Sequence, residues 1–290
     1  MMAHVAEASE ASGRVLFWTD RNAPLNPGAA RAAAKLAAAF QAEIETVTVD
    51  AGNVGLSGDL SVTGFVSRGT GAPAKDVSAA AAHFDRASLA EALLMRRQRR
   101  EVADCAQRHG VTCRHTMASG DAIDVLAELC TVRGPWNVVV AAGASAVPSV
   151  GTLFANVSGA TGVVVAPVGR VSGDGPVVVV AEDLERLPSM IRAAARLTRM
   201  FGRIHVLFAA GTRTELNDLE ARARLAIPAQ TDVVFEVSEP SFGAEEMYDD
   251  SLRKLTPSFV VCRFGGTVLP TGRALSRTIA KTGAPFLLVR

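Results

Sequence analysis

The chain has 290 residues, about twice the length of an average domain, and hydrophobic residues make up 49% of it. That fraction is enough to build a core without disulfides or metals. Its 30 basic residues nearly balance its 29 acidic ones, so overall charge provides no general attraction to nucleic acids or anionic membranes. Residues 1–13 are polar and small, and no apolar run is long enough to cross a bilayer. We therefore predict a disordered N-terminus, no signal peptide and a cytoplasmic protein.

Strands and helices alternate along the first half of the chain. Short apolar or β-branched runs predict strands at 14–20, 44–50, 111–117, 136–142 and 162–167. Helical patterns cover 29–42, 88–109, 121–130 and 152–159, with Asp121 as an N-cap and Gly110 as a C-cap. Residues 51–84 carry scattered glycines among small polar residues, which predicts a long loop.

The same alternation begins again at residue 176. Strands are predicted at 176–183, 203–209, 232–237, 258–264 and 285–290, and helices at 190–201, 215–226, 243–255 and 272–281. Alternating strands and helices indicate an α/β protein with doubly wound parallel sheets. The restart after a Gly/Ser/Asp-rich segment favours an internal duplication. It predicts a first domain at 14–170, a linker at 171–175 and a degenerate second domain at 176–290. The alternative is one large Rossmann-like sheet.

The element order resembles that of the universal stress protein (UspA-like) family over nearly the whole chain. The first strand, Val-Leu-Phe-Trp-Thr-Asp at 15–20, ends on an acid as the family's first strand does, and His205-Val206 matches a pair that the family often has in its second strand. The last strands of the two halves, 162–167 and 285–290, lie beside prolines as in the family. The resemblance implies two tandem five-stranded domains of the adenine nucleotide alpha hydrolase-like type.

The family commonly dimerises through its last strand. The resemblance therefore implies that 162–167 and 285–290 pair with each other, forming a pseudo-dimer within the chain. Exposed strand edges favour such pairing, and a homodimer of the whole chain is left open. A structure with these two strands far apart would contradict the internal pairing.

Nucleotide-binding members of the family carry Gly-x2-Gly-x9-Gly-Ser/Thr after their fourth strand, where glycines let backbone N–H groups approach phosphates. In the first half Gly143 matches the first glycine, and Gly151 with Thr152 matches the final pair. Ala146 replaces the second glycine, and the spacing to Gly151 is too short. The second half keeps Gly265 and Gly266 but has Val268 at the second-glycine position, and Arg273 follows Gly272. Both copies depart from the motif, the second more severely.

The adenosine side of the family's pocket is better preserved in the first half. The resemblance implies that Thr19 and Asp20 contact the adenine and ribose and that the backbone of Thr48 meets the adenine. Asp183 holds the same acid position in the second half. An aspartate at the end of a strand also caps the following loop in many proteins, and this role remains an alternative for Asp20 and Asp183. The candidate ligand of the first half is ATP or another adenine nucleotide.

The sequence lacks the phosphate-binding fingerprints of P-loop NTPases and dinucleotide-binding dehydrogenases, and it lacks a Gly-x-Ser-x-Gly elbow. No catalytic residue is assigned. Cys105, His109, Cys113 and His115 form the one cluster of metal-like composition. Because free cysteines are common in cores, we predict no metal site. The four cysteines contain no CxxC pair and indicate a reducing compartment.

These observations predict a non-enzymatic regulatory protein of bacterial stress-response type that binds a nucleotide or a partner protein. The alternative is an enzyme of the same superfamily that performs adenylyl transfer or ATP hydrolysis. Arg96, Arg97, Arg99 and Arg100 are interspersed with acids in a helical pattern. They are interpreted as a solvated helix face rather than a nucleic-acid site, with docking of an acidic partner as a further alternative.

Overall fold

A computed structural model describes residues 13–20, 26–50, 75–132, 137–141, 146–167, 175–182, 184–201, 203–208, 212–226, 232–237, 244–266 and 273–290. Most of the predicted disordered N-terminus and of the predicted linker lies outside these residues, as does the predicted loop up to residue 74. The domain boundaries therefore stay a prediction.

Ten strands and eight helices alternate along these residues. The first half contains β1 (Arg14–Asp20), α1 (Pro27–Phe40), β2 (Glu43–Asp50), α2 (Lys75–Arg108), β3 (Cys113–Ser119), α3 (Ala122–Val132), β4 (Asn137–Ala141), α4 (Ala146–Asn156) and β5 (Ala160–Val165). The second contains β6 (Val177–Ala181), α5 (Leu187–Phe201), β7 (Ile204–Phe208), α6 (Arg213–Ala226), β8 (Val233–Val237), α7 (Ala244–Leu255), β9 (Phe259–Arg263), α8 (Arg273–Thr282) and β10 (Phe286–Val289). All ten strands lie where the sequence predicts strands.

The strands form one hydrogen-bonded sheet in the order β3-β2-β1-β4-β5-β10-β9-β6-β7-β8. Each half follows the same order, because β6 to β10 repeat the positions of β1 to β5. Within each half every strand pair is parallel. Short β-branched runs buried on both faces are typical of such parallel sheets. The α/β doubly wound prediction is confirmed.

The two halves meet at a seam between β5 and β10, which pair antiparallel with Phe286 opposite Val165 and Val289 opposite Gly162. The predicted internal pairing of the last strands is therefore confirmed. The ten strands form one continuous sheet, as in the alternative of one large Rossmann-like sheet, but the strand direction reverses at this seam. A Cβ on Gly162 would lie 3.1 Å from Leu287 Cδ1 and 3.2 Å from the Leu288 carbonyl oxygen, so a glycine permits close approach here.

Helices cover both faces of the sheet and continue across the seam. One core joins the face of β1 that carries Val15 and Phe17 to α1, α2, α5 and α6, and the other joins the face that carries Leu16 and Trp18 to α3, α4, α7 and α8. Helix α1 contacts α5, and α4 contacts α8. Each layer of helices therefore contains elements from both halves.

Several predicted helix boundaries are wrong. Helix α4, expected over 152–159, begins at Ala146, and α2 begins at Lys75, inside the predicted loop. The predicted caps are confirmed: Asp121 Oδ1 accepts from the Ile123 N–H at 2.8 Å, and Gly110 has a φ of +67°. No helix within the described residues is long and apolar enough to cross a membrane.

Candidate functional site

Each half contains one point where the chain order of its strands reverses. In the first half it lies between β1 and β4. The chain continues from β1 to β2 on one side of this point and from β4 to β5 on the other side. Such switch points open a crevice outside the carboxyl ends of the strands, where open α/β sheets bind ligands. The corresponding point of the second half lies between β6 and β9. We call these the first and second crevices.

Two of the predicted site residues are direct neighbours at the first crevice. Thr19 of β1 lies opposite Thr48 of β2, and the residues are 7% and 4% exposed. By strand alternation both side chains lie on the α1 side of the sheet. Asp20 ends β1 opposite Val49, and its side chain lies outside the described part of the structure. Both threonines are therefore buried polar residues near the carboxyl ends of their strands.

Asn26, which the sequence analysis missed, lies immediately before α1, the helix that follows β1. Its Oδ1 accepts hydrogen bonds from the backbone N–H groups of Gly28 at 3.1 Å and Ala29 at 3.2 Å. The residue is only 4% exposed, and its Nδ2 finds no acceptor among the described residues. An Asn-Pro pair opening an Ala-rich helix was the available sequence signal. A buried amide donor without an acceptor is costly unless a further group supplies one.

Gly143 lies outside the described residues, and the other two predicted phosphate-contacting residues lie within α4. Thr152 is six residues beyond Ala146, which corresponds to about 9 Å along the helix. It is exposed, and its carbonyl accepts from Asn156 Nδ2 at 2.9 Å. The structure therefore places Gly151 and Thr152 away from the helix start that follows β4.

Gly151 instead faces the second half of the chain. A Cβ on this residue would lie 3.9 Å from the ring of Phe264. The Phe264 ring stacks on Phe154 with centroids 4.4 Å apart. Gly151 thus belongs to the packing between the two halves.

The second crevice holds a carboxylate of the protein itself. Glu182 follows β6 directly, and a Cβ on Gly266, beyond β9, would lie 2.2 Å from Glu182 Oε1 and 2.3 Å from Oε2. The Glu182 carboxylate thus lies against the backbone of Gly266, one of the two glycines that the second half keeps after its fourth strand. Burial raises the pKa of the Cys262 thiol at the end of β9, and the Glu182 charge raises it further. A side-chain carboxylate therefore lies at the second crevice, between the ends of β6 and β9.

The metal-like cluster does not converge. Cys105 is buried in the core, His109 Nδ1 lies 2.9 Å from the Cys105 carbonyl oxygen, and His115 Nδ1 lies 2.8 Å from Thr46 Oγ1. Within the described residues, no three His, Cys, Asp or Glu side chains are grouped as metal ligands would be. Arg96, Arg97 and Arg100 are exposed on α2.

Comparisons with known proteins identify the fold. No family model and no curated protein matches the sequence. The structure is similar to a universal stress protein from Archaeoglobus fulgidus DSM 4304, with a TM-score of 0.57 and 13% identity over 96% of each chain. It is also similar to two Pseudomonas aeruginosa proteins, both 14% identical over 96% of this chain. One is a putative universal stress protein from strain UCBPP-PA14, with a TM-score of 0.53 and 93% of its length covered. The other is a functionally unknown protein from strain PAO1, with a TM-score of 0.52 and 92% covered. The chain therefore has the fold of the universal stress proteins in its tandem, two-half form.

Proposed function

We propose that the protein is a non-enzymatic regulatory protein of the universal stress type, and that its first crevice binds an adenine nucleotide. The observation that carries the proposal is the buried amide of Asn26, which has a donor without an acceptor among the described residues. It lies just before α1, on the chain that leaves β1 at Thr19 and Asp20. A nucleotide supplies acceptors on both its base and its sugar.

The proposed roles follow from position. Thr19, Thr48 and Asn26 would face the nucleoside, and Asp20 would accept hydrogen bonds from the ribose hydroxyls. Gly143 and the start of α4 would receive the phosphate, because helix N-termini attract anions. Pro148, the third residue of α4, has no N–H to offer, and Ala146 occupies a glycine position of the motif. We therefore propose that AMP binds at least as well as ATP.

The second crevice supports the proposal by contrast. Glu182 precedes Asp183 as Thr19 precedes Asp20, and its carboxylate contacts Gly266. The carboxylate occupies the space that a phosphate would need in order to approach the Gly266 backbone. We therefore propose one nucleotide per chain, bound in the first half.

An enzyme that transfers adenylyl groups or hydrolyses ATP is the alternative function. Such chemistry needs a positioned base or a metal ligand beside the phosphates. Asp20 is the acid that we place at the first crevice, and we propose that it contacts the ribose and has no catalytic role. The four cysteines are free thiols, which supports a reducing compartment such as the cytoplasm as the place of action. We also propose that the regulatory role includes binding of a protein partner and assembly of the whole chain into a homodimer.

The test compares Asp20→Ala with the matched change Asp183→Ala in the second half. We expect calorimetric titration with AMP to give one site per chain. Asp20→Ala should weaken binding roughly tenfold or more, as loss of a charge-assisted hydrogen bond does, and Asp183→Ala should leave binding unchanged. Equal effects of the two variants would contradict our placement of the site, and absence of AMP, ADP and ATP binding would reject the nucleotide role. Turnover of ATP with Mg²⁺ would establish the alternative.

A further inference from the structure

The sheet ends in two outermost strands, β3 in the first half and β8 in the second. In the part of the chain that the structure describes, β3 pairs with β2 alone. It is seven residues long, whereas β8 has five, and its Met117 is 59% exposed. An open strand edge of this kind can accept a further strand through backbone hydrogen bonds. We call Cys113–Ser119 the β3 edge.

The backbone groups that a further strand would reach belong to alternate residues of β3. The Ile44 N–H of β2 donates to the carbonyl oxygen of Thr112, just before β3, at 2.8 Å. Backbone groups of successive residues in a strand point to alternate sides. Those of Cys113, His115 and Met117 therefore point away from β2. An extended segment can pair with these three residues while the β2–β3 ladder stays intact.

Basic side chains lie on both faces of the sheet at the β3 edge. On one face, the Arg114 side chain is 59% exposed and its Nε lies 3.2 Å from Glu43 Oε2. On the other face, α2 packs on β3. Partial burial lowers the pKa of His115, and the charge of Arg99 on α2 lowers it further, so the Arg99 guanidinium lies near this imidazole. A segment added to β3 would meet positive charge on either face.

Arg99 belongs to a basic flank of α2. Arg96 lies three residues before it, so the two side chains lie on the same flank of the helix. Ala92, Ala103 and Gln107 share this flank by the same spacing, so none of these positions is acidic. Arg96 is exposed, and Arg99 Nε is buried without a hydrogen-bond partner among the described residues. Because β3 itself contains no acid, a negatively charged group here would meet guanidinium donors.

We propose that the β3 edge binds an extended acidic segment of a partner protein, which pairs with β3 as an added strand. The inference rests on the regulatory role proposed above, for which it supplies the surface and the class of partner. Backbone pairing gives affinity for an extended chain. Carboxylates beside Arg96, Arg99 and His115 then select an acidic one, because charged partners of opposite sign favour each other and exclude the wrong sign.

Charge argues against a second copy of β3 at this edge and against an equivalent site at β8. If β3 paired with β3 of another copy, both strands would bring Arg114 and His115 and neither would bring an acid, and like charges on neighbouring strands are destabilising. At β8, Glu236 lies within the strand and Asp232 precedes it. An acidic segment would be repelled there, so we expect one site per chain.

The test titrates the intact chain calorimetrically with a capped peptide of alternating glutamate and valine, as long as β3. We expect one site per chain, and at least tenfold weaker binding for Arg96→Glu/Arg99→Glu, because attraction becomes repulsion. The matched control is Arg213→Glu/Arg222→Glu, which makes the same change of charge at two exposed positions of α6 and should bind as the unaltered chain does. The same peptide with alternate N-methylated backbone nitrogens should bind at least tenfold more weakly, as should a lysine–valine peptide and an oligothymidylate.

A second variant tests the strand pairing without a change of charge. Met117→Pro removes an N–H that points to the open edge, where a strand tolerates proline. It should weaken peptide binding at least tenfold while thermal unfolding stays cooperative, and Met117→Thr, which keeps the N–H, should bind as the unaltered chain does.

Undetectable binding of the glutamate–valine peptide to the unaltered chain would overturn the proposal. Equal affinity for the N-methylated peptide or the oligothymidylate would do the same, because either result means that charge alone attracts the ligand. A dimer of the unaltered chain that Met117→Pro dissociates would assign the edge to a second copy instead. The nucleotide role is judged separately by AMP titration, so peptide binding without AMP binding would reject that role and support this site.

Discussion

At the scale of single residues, a buried ion pair connects β1 and β2 at their amino ends. Arg14 of β1 and Glu45 of β2 form a salt bridge of 2.5 Å between side chains that are 3% and 4% exposed. Arg14 also donates to the Leu129 carbonyl oxygen of α3, and Glu45 accepts from Thr116 Oγ1 of β3 at 2.6 Å. One buried pair thus connects four elements, away from the crevice.

Removal of one partner of this pair should be strongly destabilising. We expect Glu45→Gln to lower the free energy of unfolding by about 3–5 kcal/mol, because Arg14 would keep a buried charge without its counter-ion. Urea denaturation measures the change. The control is Asp250→Asn, which breaks an exposed pair of 3.5 Å with Arg253 and should cost less than about 1 kcal/mol. Replacement of both partners, Arg14→Met/Glu45→Leu, should recover much of the loss, and a loss as large as that of Glu45→Gln would contradict this account.

At the scale of elements, α4 contains residues that match a phosphate motif in sequence but do not lie at the start of the helix. Its glycine and threonine resemble the end of a phosphate motif, but the helix begins five residues before Gly151. A glycine inside a helix weakens it by comparison with alanine. The Gly151 backbone needs no special conformation, and its Cβ position is in ordinary contact distance of Phe264 at 3.9 Å.

We therefore expect Gly151→Ala to stabilise the protein by up to about 1 kcal/mol. Its affinity for AMP should stay unchanged, because the residue faces the second half. Urea denaturation and calorimetric titration check the two parts. A variant that is both less stable and weaker in AMP binding would return Gly151 to the phosphate site.

The strands were predictable because each is a short apolar run with turn residues on both sides. Helix starts were less predictable, and proline was the main reason. Pro148 is the third residue of α4, where a helix tolerates proline because the N–H groups of its first turn have no helical acceptors. Pro27 begins α1 for the same reason. The resemblance implied that Thr19 and Thr48 contact the same nucleoside, and the structure pairs the two residues on adjacent strands.

Other parts of the site depend on contacts between residues far apart in the chain. Nothing near Glu182 in sequence indicates that its carboxylate reaches Gly266, because β9 becomes its neighbour only when the sheet forms. Likewise, the sequence does not indicate that Asn26 Nδ2 lacks an acceptor among the described residues, because this depends on the groups that surround the amide in the fold. A cavity of about 650 Å³ between the halves likewise needs Phe40 at the end of α1 and Ala193 of α5.

At the scale of the whole molecule, the seam determines how the two halves depend on each other. Universal stress proteins commonly dimerise through their last strand. In this chain the last strands of the two halves, β5 and β10, already pair with each other. Separation of the two halves would expose the edges of β5 and β10. It would also break the contacts of α1 with α5 and of α4 with α8. Edges of this kind are prone to incorrect pairing. We therefore expect the two halves to stay together when the connection through residues 168–174 is cut.

This gives a direct test of the proposed division into domains. A protease site inserted between residues 172 and 173 should allow complete cleavage, after which the two fragments should still elute together at the size of the uncut protein. Their thermal unfolding should now depend on protein concentration, because cleavage turns an intramolecular contact into an association between two chains. Proline in place of Leu288, which removes a backbone donor and a buried side chain at the seam, should make the cleaved fragments separate. Two outcomes would mean that contacts other than the β5–β10 seam decide the assembly. One is that the cleaved fragments still elute together when Leu288 is replaced by proline, and the other is that they separate when Leu288 is kept.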